Sequence, residues 1–192
     1  MLTELDDPDT DPDIAVRIEP HDAGGTKTWH PQRDGHLLLD AAPPASTNLA
    51  HTLADTLSGH TPHVWMVTAK PRTDLAFARA ADTDRNPVDV MDSVWRFTTQ
   101  RKTLIDNGQA TTRDFTPAYL VIDSLDDVVT TLRRTCRRSL QLLSAIAHRG
   151  PLANVYLAAI TDLTAPDAPE DPWKDLDDNE PSTCRRRRVG KR

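Results

Sequence analysis

The stretch from Thr116 to Ser124 constrains the fold of this chain more than any other. After Pro117 it is almost entirely apolar until Asp123, and a long helical pattern follows at once. A continuous apolar run of this length is typical of a strand that is buried on both faces of a parallel sheet. The sequence therefore predicts an α/β fold in which Asp123 stands at the carboxyl end of a buried strand.

Asp123 has two interpretations at this position. It can be a turn residue or a cap for the following helix, because apolar runs often end in aspartate. It can also be the acid that holds Mg²⁺ in a nucleotide site, and that role needs a phosphate-binding loop elsewhere in the chain.

Further apolar runs alternate with helical patterns along the chain. We predict strands at residues 36–39, 63–68, 119–123 and 154–160, with 36–39 as a central strand, and a short edge strand at 14–18. Helices are predicted from Ser46, as the cap, to Gly59, from Asn86 and Pro87 to Asn107, and from Asp126 to Gly150. This order predicts a mostly parallel sheet flanked by helices.

The 192 residues suffice for one domain with two tails. We expect an acidic, Pro/Asp-rich segment at 1–28, a domain at 29–163, and a disordered tail at 164–192 that is first acidic and then basic. No apolar run is long enough for a membrane span, and the acidic start does not resemble a targeting peptide. The histidines lack metal-ligand spacing, so no metal site is expected. We expect a cytoplasmic protein.

Positive charge is clustered in two places although the net charge is −6. The end of the chain is basic, and its residues can bind the phosphate backbone of DNA or form a solvated tail; they are Arg185, Arg186, Arg187, Arg188, Lys191 and Arg192. The helix after Asp123 carries Arg133, Arg134, Arg137 and Arg138. That cluster can meet DNA or an acidic subunit, or it can be a solvated helix face.

Five segments in collinear order resemble the motor domain of the FtsK/SpoIIIE family of DNA translocases. They are His36 to Leu39, Val67 to Phe77, Trp95 to Asn107, Tyr119 to Asp127, and His148 to Ile160. The first is similar to the strand before the family's phosphate loop, and the fourth to its Walker B motif. The resemblance implies a RecA-like P-loop ATPase core of the FtsK/HerA group.

The phosphate loop is where the chain departs most from that family. Where the family has Gly-x-x-x-x-Gly-Lys-Ser, residues 41–48 read Ala-Ala-Pro-Pro-Ala-Ser-Thr-Asn. The degenerate positions are Ala41, Ser46, Thr47 and Asn48, so both signature glycines and the lysine are missing. Pro43 and Pro44 have no amide hydrogen to donate to a phosphate. We therefore expect no bound cofactor.

The catalytic positions implied by the resemblance are also altered. Asp123 and Ser124 occupy the Walker B positions, and serine cannot take a proton from water near neutral pH. At the end of the last strand, where the resemblance leads us to expect a polar residue, this chain has Ile160, or Thr161 if the register slips by one. Arg149 is a candidate arginine that acts on a neighbour's nucleotide in trans, or it forms an ordinary salt bridge at a helix end.

Three hypotheses follow from these residues. The first is a degenerate FtsK-like domain, not expected to be an enzyme, that binds an active FtsK-like ATPase or its own copies, and DNA through the basic tail. The second is an active ATP-dependent DNA translocase that binds ATP and Mg²⁺ with an unconventional loop. The third is an unrelated α/β binding domain. If the resemblance is real, the Asp123 strand is expected beside the His36 strand, with residues 41–48 over their carboxyl ends.

Overall fold

Strands and helices alternate in the computed structural model, which describes residues 15–18, 27–41, 45–69 and 86–161. The strands of this part are β1 (Val16–Ile18), β2 (Lys27–Trp29), β3 (Leu37–Asp40), β4 (Val64–Thr68), β5 (Ala118–Asp123) and β6 (Val155–Thr161). The helices are α1 (Pro31–Asp34), α2 (Ala45–Ser58), α3 (Pro87–Asp106), α4 (Leu125–Thr135) and α5 (Arg137–Arg149), with 3₁₀ turns at Thr112–Asp114 and Pro151–Ala153. The predicted tail at 164–192 lies outside the described residues, and of the predicted segment 1–28 only residues 15–18 and 27–28 are described.

Four of these strands form one parallel sheet in the order β3-β6-β5-β4. β5 lies inside the sheet, and all of its residues are buried, as its continuous apolar sequence predicts. The predicted α/β class, with a mostly parallel sheet flanked by helices, is confirmed.

The helices divide between the two faces of the sheet because the connections change direction. The chain moves from β3 to β4 across the whole sheet, and then returns by single steps through β5 and β6. Right-handed crossovers then place α2 on one face and α3 to α5 on the other. Alternate residues of β5 follow this division: Tyr119 and Val121 pack on the α2 side, whereas Leu120 and Ile122 pack on the side of the other three helices.

The short strand predicted near residue 16 is present as β1, and it pairs with β2 in an antiparallel ribbon. Val16 and Trp29 from this ribbon are buried in the apolar cluster on the α2 side. The Trp29 ring meets Tyr119 edge-on at 5.8 Å between centroids, and its Nε1 donates to the carbonyl of Gly35 at 3.0 Å. The ribbon therefore packs against the same face of the sheet as α2.

Two expectations about β3 are wrong. It is not a central strand, because among the described residues it pairs with β6 alone and its leucines are only half-buried. It is also not adjacent to the Asp123 strand, because β6 lies between β3 and β5, so the strand adjacency that we expected from the family resemblance is absent and does not support it. A short apolar run indicates that a strand is buried, but it does not indicate the position of the strand in the sheet. That position depends on how the later strands of the chain cross over and pair.

The helix predicted from residue 126 to 149 is interrupted at Cys136. This residue has an extended backbone (φ −159°, ψ 98°) that ends α4 and begins α5. Its N–H donates to Leu132 O at 2.8 Å, and its carbonyl accepts from Ser139 N at 2.9 Å. No glycine or proline marks the break in the sequence. A smaller correction concerns α2, which begins at Ala45, so Ser46 lies within its first turn instead of capping it.

Gly150 ends α5 as predicted, and the structure adds a second reason for glycine at this position. A Cβ built there would lie 2.5 Å from the carbonyl oxygen of Ile146 and 2.6 Å from that of Val155. Both atoms belong to the backbone and cannot move aside like a flexible side chain. Only glycine allows the chain to turn this closely from α5 into β6.

His36 links β3, β6 and α5 through both nitrogens of its ring. Nδ1 accepts from the N–H of Leu157 at 2.9 Å, and Nε2 lies 2.7 Å from the carbonyl of Ala147. These partners require a neutral ring with its hydrogen on Nε2. Burial lowers the pKa of His36 below its usual value, in agreement with this geometry.

We expect this histidine to make the fold sensitive to acid. Because the pKa of His36 is lowered in the folded state, the unfolded chain binds the proton first as pH falls through about 6.5, and stability is lost below that value. A single titrating group can change the free energy of unfolding by at most about 1.4 kcal/mol per pH unit. Urea titrations between pH 5 and 7.5 should show a flatter profile for His36→Gln.

The exposed His60 supplies the control for that titration. His60→Gln makes the same substitution at the surface and therefore measures the effect of the glutamine itself. The pKa of His63 is also lowered, by burial and then by Arg101. His63 is present in both variants, so its contribution to the pH dependence of stability is the same in both. Identical profiles for His36→Gln and the natural protein would contradict the assignment.

No helix in the described part of the chain is long and apolar enough to cross a membrane.

Candidate functional site

The candidate site lies at the edge where the four parallel strands end. β3, β6, β5 and β4 finish there with Asp40, Thr161, Asp123 and Thr68. The sheet register places Thr68 opposite Asp123 and Asp40 opposite Thr161. In open α/β sheets, ligands bind beyond the carboxyl ends of the strands.

Asp123 stands where the sequence predicted, at the end of a strand with a neighbour on each side. Only 5% of its surface is exposed. The Asp123 side chain is therefore almost completely buried at this edge of the sheet. This placement fits either of the two interpretations of Asp123, since a capping acid and a Mg²⁺ ligand would both follow β5.

Ser124, which the family resemblance assigns to the second Walker B position, has an unusual backbone. Its φ of 55° and ψ of 81° lie in the left-handed region, which few residues other than glycine adopt. Its carbonyl accepts from Val128 N at 3.0 Å, but its side chain does not cap α4. The Ser124 hydroxyl therefore forms no capping bond that would offset the backbone strain.

We expect Ser124→Gly to stabilise the fold by about 0.5–1 kcal/mol, because glycine adopts a positive φ without strain. Ser124→Ala is the matched control, since alanine loses the hydroxyl but keeps the strain, and it should not gain stability. Urea unfolding measures both differences. A glycine variant less stable than the alanine variant would show that the serine contributes something other than backbone strain.

The end of β6 resolves the choice between Ile160 and Thr161. Ile160 is fully buried in the apolar cluster on the α2 side, so Thr161 is the polar residue at this edge. Its hydroxyl donates to Oδ2 of Asp126 at 2.5 Å, and its carbonyl accepts from Ala41 N at 3.0 Å. Thr161 therefore joins β6 to the first turn of α4 and to the start of the predicted phosphate loop.

The sequence did not predict this contact. Asp126 was predicted only as the start of a helix, and residues 126 and 161 are far apart in the chain. Their proximity depends on β6 lying beside β5, which no local pattern reveals.

The predicted phosphate-loop positions extend from the end of β3 into the first turn of α2. Ala41 follows β3 directly, whereas Ser46, Thr47 and Asn48 belong to the first turn of α2. Residues 42–44 lie outside the described residues. The strand, loop and helix nevertheless occur in the order that a phosphate loop requires, with the helix beginning beyond the carboxyl end of its strand.

Arg149 lies at the opposite edge of the sheet. It is the exposed last residue of α5, and the chain enters β6 at its amino end shortly afterwards. The seven residues of β6 separate that edge from the candidate site by about 20 Å. The structure therefore does not bring Arg149 to Asp123 of the same chain. The predicted DNA-binding residues 185–188, 191 and 192 lie outside the described residues.

The described residues thus combine a parallel sheet with helices on both faces, a strand and a helix on either side of residues 42–44, and a buried acid at the same edge of the sheet. Within the described residues, no three metal-ligating side chains form a group that could hold an ion.

Solved structures of FtsK/SpoIIIE-family ATPase domains share this fold at low sequence identity. Thermomonospora curvata EccC (ATPases 2 and 3, in complex with a signal sequence peptide) matches with a TM-score of 0.58 and 16% identity, over 85% of this chain and 35% of EccC. The monomer form of the pCW3 conjugation coupling protein TcpA with ATPγS matches with a TM-score of 0.60 and 13% identity, over 86% of this chain and 53% of TcpA.

The chain thus spans about a third of the EccC chain and about half of the TcpA chain. No protein-family model matches the sequence, and no curated protein matches it either. At these identities the similarity establishes the fold.

Proposed function

We propose that this chain is an FtsK/SpoIIIE-like domain that has lost nucleotide chemistry and acts as a binding or scaffolding subunit of a motor assembly. The observation that carries the proposal is the phosphate loop. The fold provides a strand and a helix for that loop, but residues 41–48 lack both glycines and the lysine. Pro43 and Pro44 remove two more possible donors.

The other polar groups at the edge support the same interpretation. Ser124 replaces the acid that would orient the attacking water, and a serine cannot serve as a general base near neutral pH. The Thr161 hydroxyl donates to Asp126, so it is engaged within the protein. Asp123 remains, but a single buried acid without a lysine cannot hold a nucleotide.

The partners we propose are an active FtsK-like ATPase or further copies of this chain, with DNA bound by the basic residues 185–192. Arg149 suits a contact between subunits because it is exposed and lies away from its own chain's site. TcpA is a conjugation coupling protein, and EccC is a type VII secretion ATPase with a cytoplasmic domain. We propose that this chain acts in the cytoplasm as a docking subunit in conjugation or in type VII secretion.

The natural protein is expected to give no binding heat with MgATP in calorimetry and no hydrolysis with or without DNA. Asp123→Ala should leave both results unchanged, because the acid has no nucleotide to act on. Micromolar MgATP binding, or DNA-stimulated hydrolysis that disappears in Asp123→Ala, would instead support an active translocase with an unconventional loop.

For the tail, replacing Arg185 to Arg188 with glutamine should flatten the salt dependence of DNA binding. An unchanged slope would show that the arginines of the tail do not bind DNA.

A further inference from the structure

Cys136, the residue that separates α4 from α5, is in a disulfide bond. Only 6% of its surface is exposed. The chain has two cysteines, and the other is Cys184, which lies outside the described residues. The bond therefore either closes a loop within one chain, between residues 136 and 184, or joins two copies of the chain.

The end of β6 brings the segment that leads to Cys184 close to α4. The hydroxyl of Thr161, the last residue of β6, donates to Oδ2 of Asp126 in the first turn of α4 at 2.5 Å. From that turn, the 11 residues of α4 extend about 16 Å to Cys136. Residues 162–184 are long enough to cover this distance, since an extended chain advances about 3.3 Å per residue. A bond within one chain therefore requires no change in the described elements.

The charges of the two segments are complementary. Residues 162–180 contain one lysine and eight acidic residues, at 162, 167, 170, 171, 175, 177, 178 and 180. Two arginines precede Cys136 at the end of α4 and two follow it at the start of α5; they are Arg133, Arg134, Arg137 and Arg138. Opposite charges attract the acidic segment to the surface that carries these arginines.

Both cysteines have arginines beside them in the sequence. Four surround Cys136, and another four follow Cys184, at 185–188. Positive charge stabilises a thiolate, and a stabilised thiolate leaves a disulfide more readily. Structural disulfides, by contrast, resist reduction by cellular thiols. The charges around this bond therefore favour reversible reduction over a permanent link.

We propose that a disulfide between Cys136 and Cys184 holds the acidic segment 162–180 along α4 and the start of α5, and that reduction by a dithiol releases it. One thiolate of the dithiol attacks the Cys184 sulfur, because Cys136 is buried, and Cys136 leaves as a thiolate and takes up a proton. The second thiol of the dithiol then displaces Cys184 from the mixed disulfide. Two electrons and two protons pass to the cysteines, and the dithiol becomes a disulfide. The proposal depends neither on nucleotide chemistry nor on DNA.

Peptide mapping of the oxidised full chain without reduction identifies the bond. Trypsin cleaves after lysine and arginine, so peptide 135–137 is expected to be joined to peptide 175–185. Dithiothreitol should separate the two peptides. Free thiols at both positions after oxidation would overturn the proposal. A disulfide-linked dimer on a non-reducing gel would overturn it in favour of a bond between two copies.

Cleavage after Lys174 in the folded protein measures whether the acidic segment is held in place. Lys174 is the only lysine or arginine between Arg149 and Arg185. Trypsin should cut there about tenfold more slowly in the oxidised natural protein than in Cys184→Ser, because cleavage follows the population of the released segment. Reduction of the natural protein should remove the difference. Equal rates for the oxidised protein and Cys184→Ser would overturn the proposal.

The rate of reduction by dithiothreitol, followed by maleimide alkylation of the thiols, tests the arginines. Arg134→Gln with Arg138→Gln removes two exposed charges beside Cys136. This double variant should be reduced about threefold more slowly, as expected for the loss of two surface charge interactions. Arg96→Gln with Arg113→Gln, which removes two exposed charges from α3 and the 112–114 turn, is the matched control. Equal rates for the two double variants would overturn the reversible character that we assign to the bond.

Discussion

A variant with a rebuilt phosphate loop is expected to bind MgATP with micromolar affinity, whereas the natural protein shows no binding. The variant combines Ala41→Gly, Pro43→Ala, Pro44→Ala, Ser46→Gly, Thr47→Lys and Asn48→Ser. These changes lie between the end of β3 and the first turn of α2, the two elements that the fold already provides. Calorimetry on both proteins measures the difference directly.

The expected size of the effect follows from the donors that are restored. Each charge-assisted donor to a phosphate contributes about 1.5–3 kcal/mol, so two amides and a lysine amount to roughly 4–9 kcal/mol. At about 1.4 kcal/mol per tenfold change, this corresponds to three or more decades in affinity. The backbone of α2 adds its own N–H groups, which point toward an anion at its amino end.

A second variant isolates the lysine. It carries the same glycine, alanine and serine changes but keeps Thr47, and we expect it to recover only part of the affinity, because the amides return without the charge. Equal binding by the natural and rebuilt proteins would contradict the interpretation of residues 41–48. Absence of binding by the rebuilt protein would contradict the descent of this loop from a nucleotide site.

Arg101→Ala is expected to lower the free energy of unfolding by about 3 kcal/mol. Arg101 lies on α3 and is only 6% exposed. Its Nη1 donates to the carbonyls of Ala153 and Asn154, both at 3.3 Å, where the chain enters β6. The guanidinium carbon lies 4.2 Å from the ring centroid of Phe97 and 5.0 Å from that of Phe115.

Several physical terms add in this loss. Truncation leaves a cavity beneath α3, removes two hydrogen bonds from a charged donor, and removes a cation stacked on two aromatic rings. Against these stands the cost of burying a charge, which lowers the pKa of Arg101 to about 10. Because the carbonyls and rings surround the group on several sides, we expect the favourable contacts to exceed that cost.

Arg101→Met is the matched control, because methionine keeps most of the side-chain volume and removes only the charge and its hydrogen bonds. We expect a smaller loss of about 1–2 kcal/mol, measured by urea unfolding at neutral pH. A methionine variant as stable as the natural protein would mean that desolvation cancels the contacts of the guanidinium group.

Local sequence patterns determined much of this fold. The apolar runs at 118–123 and 155–161 are buried strands, Asn86 caps α3 through a bond from Val88 N to its Oδ1 at 3.1 Å, and Gly150 ends α5. These features depend on neighbouring residues, through side-chain periodicity, capping bonds and backbone sterics. The same reasoning placed Asp123 at a strand end and residues 41–48 between a strand and a helix.

The strand order and the contacts that depend on it were decided only by the tertiary structure. The sequence did not show that β6 lies between β3 and β5, that Cys136 interrupts the long helix, or that His36 bonds to Leu157 and Ala147. It also did not show that Thr161 bonds to Asp126. Each of these depends on packing between distant segments, and the energy of a contact across many residues leaves no periodic signal in the chain. The sequence therefore determined the elements and the edge that carries the site, and packing determined which side chains meet there.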